Sequence, residues 1–141
     1  MKIFKVKTSF LLLIVSVMLV SWNTKTSAQS ESKSMQRGKK VYTNNCVVCH
    51  MSNGQGISKI FPPLATSDYL MEDISRAGAI ILKGKNGVIN VNGVNYKGMM
   101  AGFPLSDQEL ADVVNYISNS WGNTTKEVDV KWASYVRKVV H

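Results

Sequence analysis

Cysteine, histidine and proline are scarce in this sequence, and their scarcity excludes several classes of protein. The 141 residues include two cysteines, two histidines and three prolines. Two cysteines are too few for a disulfide-rich scaffold. A structural zinc site needs four ligands, but the chain has one cysteine pair and a second histidine only at its end, His141. No acid–base pair or nucleophile constellation stands out, so we do not expect an enzyme.

Long hydrophobic runs are also missing. The longest apolar stretch, residues 10–20, has 11 residues and is interrupted by Ser16, whereas a membrane-spanning helix needs about 20. Lysines precede this stretch and small residues ending in Ala28 follow it, which is the order of a secretory signal. We therefore predict that residues 1–28 are a signal peptide, with an uncleaved anchor as the alternative. Residues 29–34 are predicted to be flexible, and the mature protein to be exported to the periplasm.

Acidic residues are the minority. The whole chain has a net charge of +8, and removal of residues 1–28, which contain four lysines and no acid, lowers it to +4. The remaining lysines are scattered and are not interleaved with aromatic residues, so we expect no nucleic-acid partner. They either keep the protein soluble or attract an acidic partner protein, and the sequence leaves both readings open.

The apolar periodicity predicts an all-α protein. Helical patterns cover residues 34–48 and residues 73–83. Gly38 lies on the apolar face of the first pattern and indicates the close approach of another helix. A third helix is predicted to begin at Ser106, which has capping-box spacing to Glu109.

A last helix is predicted from Thr124, which has the same spacing to Glu127. Its apolar face is predicted to contain Val128, Trp132, Tyr135, Val136 and Val139. Residues 52–64 and 85–98 are predicted as loops, with an extended stretch at residues 88–91. Loops of this length are unusual in a compact domain unless a bound group organises them.

The two cysteines belong to the pattern Cys46-Val47-Val48-Cys49-His50, which is the attachment pattern of c-type haem. Two thiols at this spacing can form thioethers with the two vinyl groups of one porphyrin, and the histidine that follows can ligate the iron. A thioredoxin-type dithiol would follow a strand in a βαβ unit, and no such pattern precedes Cys46. A plain disulfide would leave His50 unexplained. The pattern therefore predicts one covalent haem c.

A ligating histidine needs an acceptor for its second ring nitrogen, and iron needs a sixth ligand. The rigid segment at residues 61–64, Phe-Pro-Pro-Leu, offers proline carbonyls as acceptors. Met99 and Met100 lie in a glycine-flanked segment before the Ser106 helix, and a thioether suits low-spin iron in both oxidation states. Either methionine could be the ligand on these grounds.

Together these residues resemble the class I cytochrome c family, in its bacterial monohaem form. The resemblance covers residues 35–123 and includes Phe-Pro-Pro-Leu-Ala at residues 61–65, Val-Asn-Gly-x-x-Tyr at 91–96 and Leu-Ser-Asp at 105–107. It implies the class I fold, in which the N-terminal and C-terminal helices cross around one haem, here at Gly38 and Tyr116. Residues 124–141 are then a C-terminal helical extension.

The resemblance also implies the ligands. The family's Gly-x-Met-Pro segment corresponds here to Gly98-Met99-Met100-Ala101, so Met100 is the implied distal ligand opposite His50. Ala101 stands where the family usually has proline, which leaves Met99 as the rival. Pro62 becomes the implied acceptor for the His50 N–H.

The expected function is that of a monomeric, non-enzymatic carrier that passes single electrons between redox partners. One alternative is a haem protein with a labile sixth ligand that binds a gas or peroxide. Another is a dedicated electron-donor subunit of an oxidase, a nitrite reductase or a dehydrogenase, in which the C-terminal helix could dock the partner.

Overall fold

The computed structural model of the protein describes residues 32–139. The predicted signal peptide therefore lies outside the described residues. Within them the chain forms six helices and one hairpin. The elements are α1 (Lys33–Asn45), α2 (Val47–His50), α3 (Asp68–Glu72), α4 (Ile74–Lys83), β1 (Gly84–Val91), β2 (Val94–Ala101), α5 (Asp107–Ser118) and α6 (Val130–Val139). None of the described helices is long and apolar enough to cross a membrane.

Helices α1 and α5 pack directly on each other. A Cβ atom at Gly38 would lie 2.0 Å from the carbonyl oxygen of Asp112 and 2.8 Å from the Cβ atom of Tyr116. No side chain fits between the helices at this point, so the close approach predicted from Gly38 is confirmed. Because α1 leads straight into Cys46, this crossing positions the cysteine pair.

A buried carboxylate joins the same two helices. Asp112 is 1% exposed and accepts hydrogen bonds from Ser34 Oγ at 2.7 Å and Gln108 Nε2 at 3.0 Å. It also accepts two bonds from Arg37, through Nε at 2.6 Å and Nη2 at 2.8 Å. Burial opposes ionisation, but these donors outweigh it and lower the pKa of Asp112. The carboxylate is therefore charged and fully bonded at neutral pH.

Helix α5 is the centre of the core. It begins with the predicted capping box, in which Ser106 accepts from the Glu109 N–H and Glu109 accepts from the Ser106 N–H. All residues from Leu110 to Ser118 are buried. At its far end an aromatic cluster of Tyr42, Tyr116 and Trp121 has ring centroids 5.0–5.4 Å apart. These contacts connect α1, α5 and the chain that leaves α5.

The prediction of an all-α protein is only roughly right, because residues 84–101 form an antiparallel hairpin. Its strands pair in continuous register from Gly84 with Ala101 to Val91 with Val94. The turn residues Asn92 and Gly93 have φ angles of 51° and 77°, as a two-residue type I′ turn requires. Asn-Gly between two extended runs is a strong hairpin signal that the loop assignment overlooked.

The C-terminal segment also differs from its prediction. Its helix begins at Val130, not at Thr124, because Asn115 of α5 binds both the N–H and the carbonyl of Val128 and keeps these groups out of helical hydrogen bonds. Asp129 accepts a bond from the Trp132 N–H in the first turn of the helix. The helix packs on α5 and α4 through Ala133, Val136 and Trp132, whereas Tyr135 and Val139 of the predicted face are exposed.

Candidate functional site

A cavity of about 390 Å³ lies between the segment that follows α1 and the hairpin. We call residues 46–65 the proximal wall and residues 84–101 the distal hairpin. The back of the cavity is closed by core side chains of α3, α4 and α5, including Leu70, Ile80 and Val113. Its size is typical of a site for a drug-sized or cofactor-sized ligand, and its lining is mainly apolar.

The two thiols reach this cavity from the junction of α1 and α2. Helix α1 ends at Asn45, and α2 restarts at Val47, so Cys46 and Cys49 lie three positions apart on one turn. Both line the cavity and neither is in a disulfide. Burial raises the pKa of Cys46 to about 11, and Cys49 adds to the shift. The cavity therefore contains two free thiols, of which Cys46 is held protonated by its burial.

His50 ends the same helix and is buried. Its Nδ1 lies 3.0 Å from the carbonyl oxygen of Pro62. A carbonyl only accepts, so Nδ1 carries the proton in this bond and Nε2 keeps a free lone pair. Burial lowers the pKa of His50, although the Pro62 carbonyl opposes that shift. A neutral imidazole with one free nitrogen is the form that ligates a metal.

The rest of the proximal wall is folded tightly on itself. The Gly54 carbonyl accepts bonds from the N–H groups of Leu64 at 2.7 Å and Ala65 at 2.9 Å. Gly56 has a φ of 62°, and a Cβ atom there would lie 2.3 Å from the Phe61 carbonyl oxygen. The position of Pro62 is therefore determined by backbone contacts on both sides of it.

The distal hairpin turns one face toward the cavity. Side chains on alternate strand positions share a face, and the residues on this face that line the cavity are Lys85, Gly87, Ile89, Val91, Tyr96, Gly98 and Met100. Met100 is half-buried and packs against the core. Met99 also borders the cavity but is 79% exposed, since it belongs to the opposite face.

The structure thus brings all the predicted site residues to one cavity. Cys46, Cys49, His50 and Pro62 lie on the proximal wall, and Met99 and Met100 lie on the distal hairpin. Sequence reasoning missed a set of polar side chains in the lining, namely Ser67, Tyr69, Lys85 and Tyr96. The alternation of strand residues around the Asn-Gly turn would have indicated Lys85 and Tyr96.

The donor set and the shape fit a porphyrin. Two thiols at attachment spacing and a histidine with one free nitrogen face an apolar space that has a thioether on its other side. The hydroxyls of Ser67, Tyr69 and Tyr96 and the ammonium of Lys85 can meet the polar groups of such a ligand. We find no group of three or more acidic, histidine or cysteine residues that could hold a bare metal ion in residues 32–139.

Comparison with known proteins agrees with this geometry. Residues 35–121 match the family described as Cytochrome c. Cytochrome c-552 of Thermus thermophilus is 40% identical over 96 residues, which are 63% of this chain and 71% of the relative.

Two relatives are parts of larger systems. The cytochrome c subunit of the quinone-dependent alcohol dehydrogenase of Gluconobacter oxydans is 39% identical over 88 residues, 61% of this chain and 18% of the relative. The cytochrome c subunit of the gluconate 2-dehydrogenase of Pantoea cypripedii is 33% identical over 107 residues, 73% of this chain and 24% of the relative. This chain therefore spans less than a quarter of either subunit.

The family match covers more than half of the chain and the same residues that build the cavity. The chain belongs to the cytochrome c family, whose members carry electrons on a covalently attached haem c, and it contains one such domain.

Proposed function

We propose that this protein is an exported, monomeric cytochrome c that passes single electrons between redox partners, with iron ligated by His50 and Met100. Cys46 and Cys49 hold the haem through thioethers, and the Pro62 carbonyl orients His50. The bound haem supplies a metal that changes its charge by one electron.

The observation that carries this proposal is the composition of one cavity. It has the paired thiols and a neutral imidazole on the proximal wall and a half-buried methionine on the distal hairpin. The buried His50 donates to Pro62 through Nδ1, so only Nε2 is left for iron. An imidazole and a thioether together leave no open position for a substrate, which suits transfer of electrons and not of atoms.

Met100 is favoured over Met99 by the strand alternation. Met100 shares its face with Gly98 and Tyr96, which line the cavity, and it packs against the core. Met99 faces the other way and is largely in solvent. Packing against the core already restricts the Met100 side chain, so it loses less conformational freedom on ligation than the exposed Met99 would.

The rim of the cavity is suited to brief contact with a partner. Two apolar side chains of the cavity lining are strongly exposed, Ile60 at 57% and Met99 at 79%, and Val48 between the two cysteines is 80% exposed. Lys59 precedes Ile60 and Lys97 lies two residues before Met99. An apolar centre with flanking lysines favours an acidic partner, and such electron-transfer contacts are usually small and transient.

A second candidate is a dedicated electron-donor subunit of a dehydrogenase. It is favoured by the identities of 39% and 33% to cytochrome c subunits of two dehydrogenases. An oxidase or a nitrite reductase could be served in the same way. Purification from native membranes and soluble extract distinguishes the two: a carrier elutes as a lone monomer, and a subunit elutes with its enzyme.

The main proposal is tested on protein made with haem-attachment machinery, by measuring its optical spectrum, its mass and its reduction potential. We expect one haem per chain that stays attached after the protein is denatured. The spectra should be low-spin in both oxidation states, and the potentiometric titration should show a single one-electron step. A chain without covalent haem, or a high-spin reduced form, would refute the proposal.

Carbon monoxide separates the carrier from a gas-binding or peroxide-binding protein. The reduced protein is expected not to bind carbon monoxide at neutral pH, because Met100 occupies the sixth position. Rapid stoichiometric binding would favour the labile-ligand alternative, which is motivated by Ala101 in place of the usual proline.

A further inference from the structure

Asn123 connects the end of α5 to the proximal wall. It is 5% exposed, and its Nδ2 donates to the carbonyl oxygens of Ile117 at 2.8 Å and Leu64 at 2.7 Å. Ile117 belongs to the last turn of α5, whose carbonyls have no partner within the helix. Both neighbours only accept, so the amide nitrogen must face them. The buried Oδ1 has no hydrogen-bond partner among the described residues.

The hydrogen bond from Asn123 reaches the proximal wall at Leu64. Its N–H donates to the Gly54 carbonyl, while its own carbonyl accepts from Asn123. Both backbone groups of Leu64 are thus occupied, and Pro62, the acceptor for His50, lies two residues earlier. A loosened Leu64 would allow Pro62 to move relative to the imidazole.

The residues just before Asn123 also pack at the proximal wall. A Cβ atom at Gly54 would lie 2.5 Å from the Trp121 ring, and one at Gly122 would lie 2.9 Å from the side chain of Thr66, the first residue after the wall. Trp121 and Gly122 have φ angles of 53° and 92°, so the chain turns sharply to bring the Asn123 amide inward.

We propose that Asn123 is a positioning residue for the proximal ligand, acting through the Leu64 carbonyl and Pro62 on the His50 N–H bond. A hydrogen bond from the second nitrogen makes a ligating imidazole a stronger donor. A stronger donor stabilises oxidised iron, so the Asn123 bond keeps the reduction potential lower than it would otherwise be. This inference rests on the proposed ligation by His50.

Asn119 offers a matched control. It lies four residues before Asn123 and also links two chain segments, since its Nδ2 donates to the Asn115 carbonyl at 3.1 Å and its Oδ1 accepts from the Thr125 N–H at 2.9 Å. Neither partner belongs to the proximal wall. Asn119→Ala therefore loosens the C-terminal segment without touching the His50 support.

The experiment compares haem-loaded wild type, Asn123→Ala and Asn119→Ala by potentiometry and by exchange of the His50 Nδ1 proton in NMR spectra. In Asn123→Ala we expect a higher potential and roughly tenfold faster exchange, the factor that corresponds to the loss of one or two ordinary hydrogen bonds. In Asn119→Ala we expect both readouts to stay at their wild-type values, although thermal stability falls. Asn123→Gln, which keeps both amide N–H groups, is expected to shift both readouts less.

Unchanged potential and exchange in Asn123→Ala overturn the inference, and so do equal changes in both alanine variants. If Asn123→Ala fails to fold, Asn123→Gln decides, since wild-type values of both readouts in that variant contradict the expected partial shift. A wild-type spectrum without a histidine ligand would instead refute the proposed function itself, so the two failures are distinguishable.

Discussion

The proximal wall and the distal hairpin differ in how closely their backbones are packed. In the proximal wall, added Cβ atoms at Gly54 and Gly56 would lie 2.5 Å and 2.3 Å from their nearest neighbours. In the distal hairpin, close contact is confined to the base, where a Cβ atom at Gly84 would lie 2.4 Å from the Met100 carbonyl oxygen, whereas Gly93 in the turn has nothing within 4 Å of that position. The wall that contains the thiols and the imidazole is fixed by its own packing, whereas the hairpin that contains Met100 is packed closely at its base and is open at its turn. We infer that the proximal wall holds the haem and that the distal hairpin sets the sixth ligand.

The largest expected effect comes from removing the ligands of each side in turn. Replacing Cys46 and Cys49 together by serine should abolish covalent attachment, because no other described thiol reaches the cavity. Met100→Ala should keep the covalent haem and change only its spectrum. The mass of denatured protein gives the result for both variants. Loss of covalent haem from Met100→Ala would mean that the division of roles is wrong.

A smaller effect is expected from alanine at one glycine on each side. Gly54→Ala combines a φ of 69° with contact to the Trp121 ring, so we expect the free energy of unfolding to fall by about 3 kcal/mol. Gly93→Ala has an unfavourable φ but open space, so a loss of about 1 kcal/mol is expected. Urea denaturation measures both. Equal losses would remove the contrast between the two sides.

The smallest of the three effects is expected at the crossing of α1 and α5. Asp112→Asn removes the buried carboxylate that pairs the Ser34 and Arg37 donors of α1, and we expect the free energy of unfolding to fall by about 2 kcal/mol at pH 7. Asp107, which pairs with Arg137 at 2.6 Å in a partly exposed position, provides the control, and Asp107→Asn should cost under about 1 kcal/mol.

The contribution of Asp112 to the free energy of unfolding is expected to depend on pH. The pKa of Asp112 is lowered in the folded protein, so its contribution is fully present above the ordinary carboxylate range. It is lost as the pH falls through the lowered pKa. The difference in unfolding free energy between wild type and Asp112→Asn should therefore shrink in acid. A difference that is constant from neutral to acidic pH contradicts the assignment.

Local signals predicted the parts of the fold that depend on neighbours in sequence. Ser106 and Glu109 cap α5 because their bonds close within one turn. The Cys46 to His50 pattern brings its residues together for the same reason, since Cys46 precedes the single turn of helix that contains Cys49 and His50. The close contact at Gly38 was also predictable, since glycine lowers the stability of a helix and its place on an apolar face indicates that another helix approaches there.

Long-range contacts explain what the sequence did not predict. Thr124 and Glu127 have capping-box spacing, but they do not cap a helix. Asn115 accepts a hydrogen bond from the Val128 N–H, and Glu127 accepts one from Ser32 Oγ. The bond of Asn123 to Leu64 in the proximal wall spans 59 residues of sequence and leaves no local pattern. The distal hairpin was missed although its turn chemistry was present in the sequence.

The most direct test of the account is the identity of the axial methionine. Proton NMR spectra of the reduced protein should show one methionine methyl resonance shifted far upfield by the haem ring current. That resonance and the low-spin spectrum should persist in Met99→Ala and disappear in Met100→Ala. Loss in Met99→Ala with retention in Met100→Ala would contradict the assignment of the distal ligand.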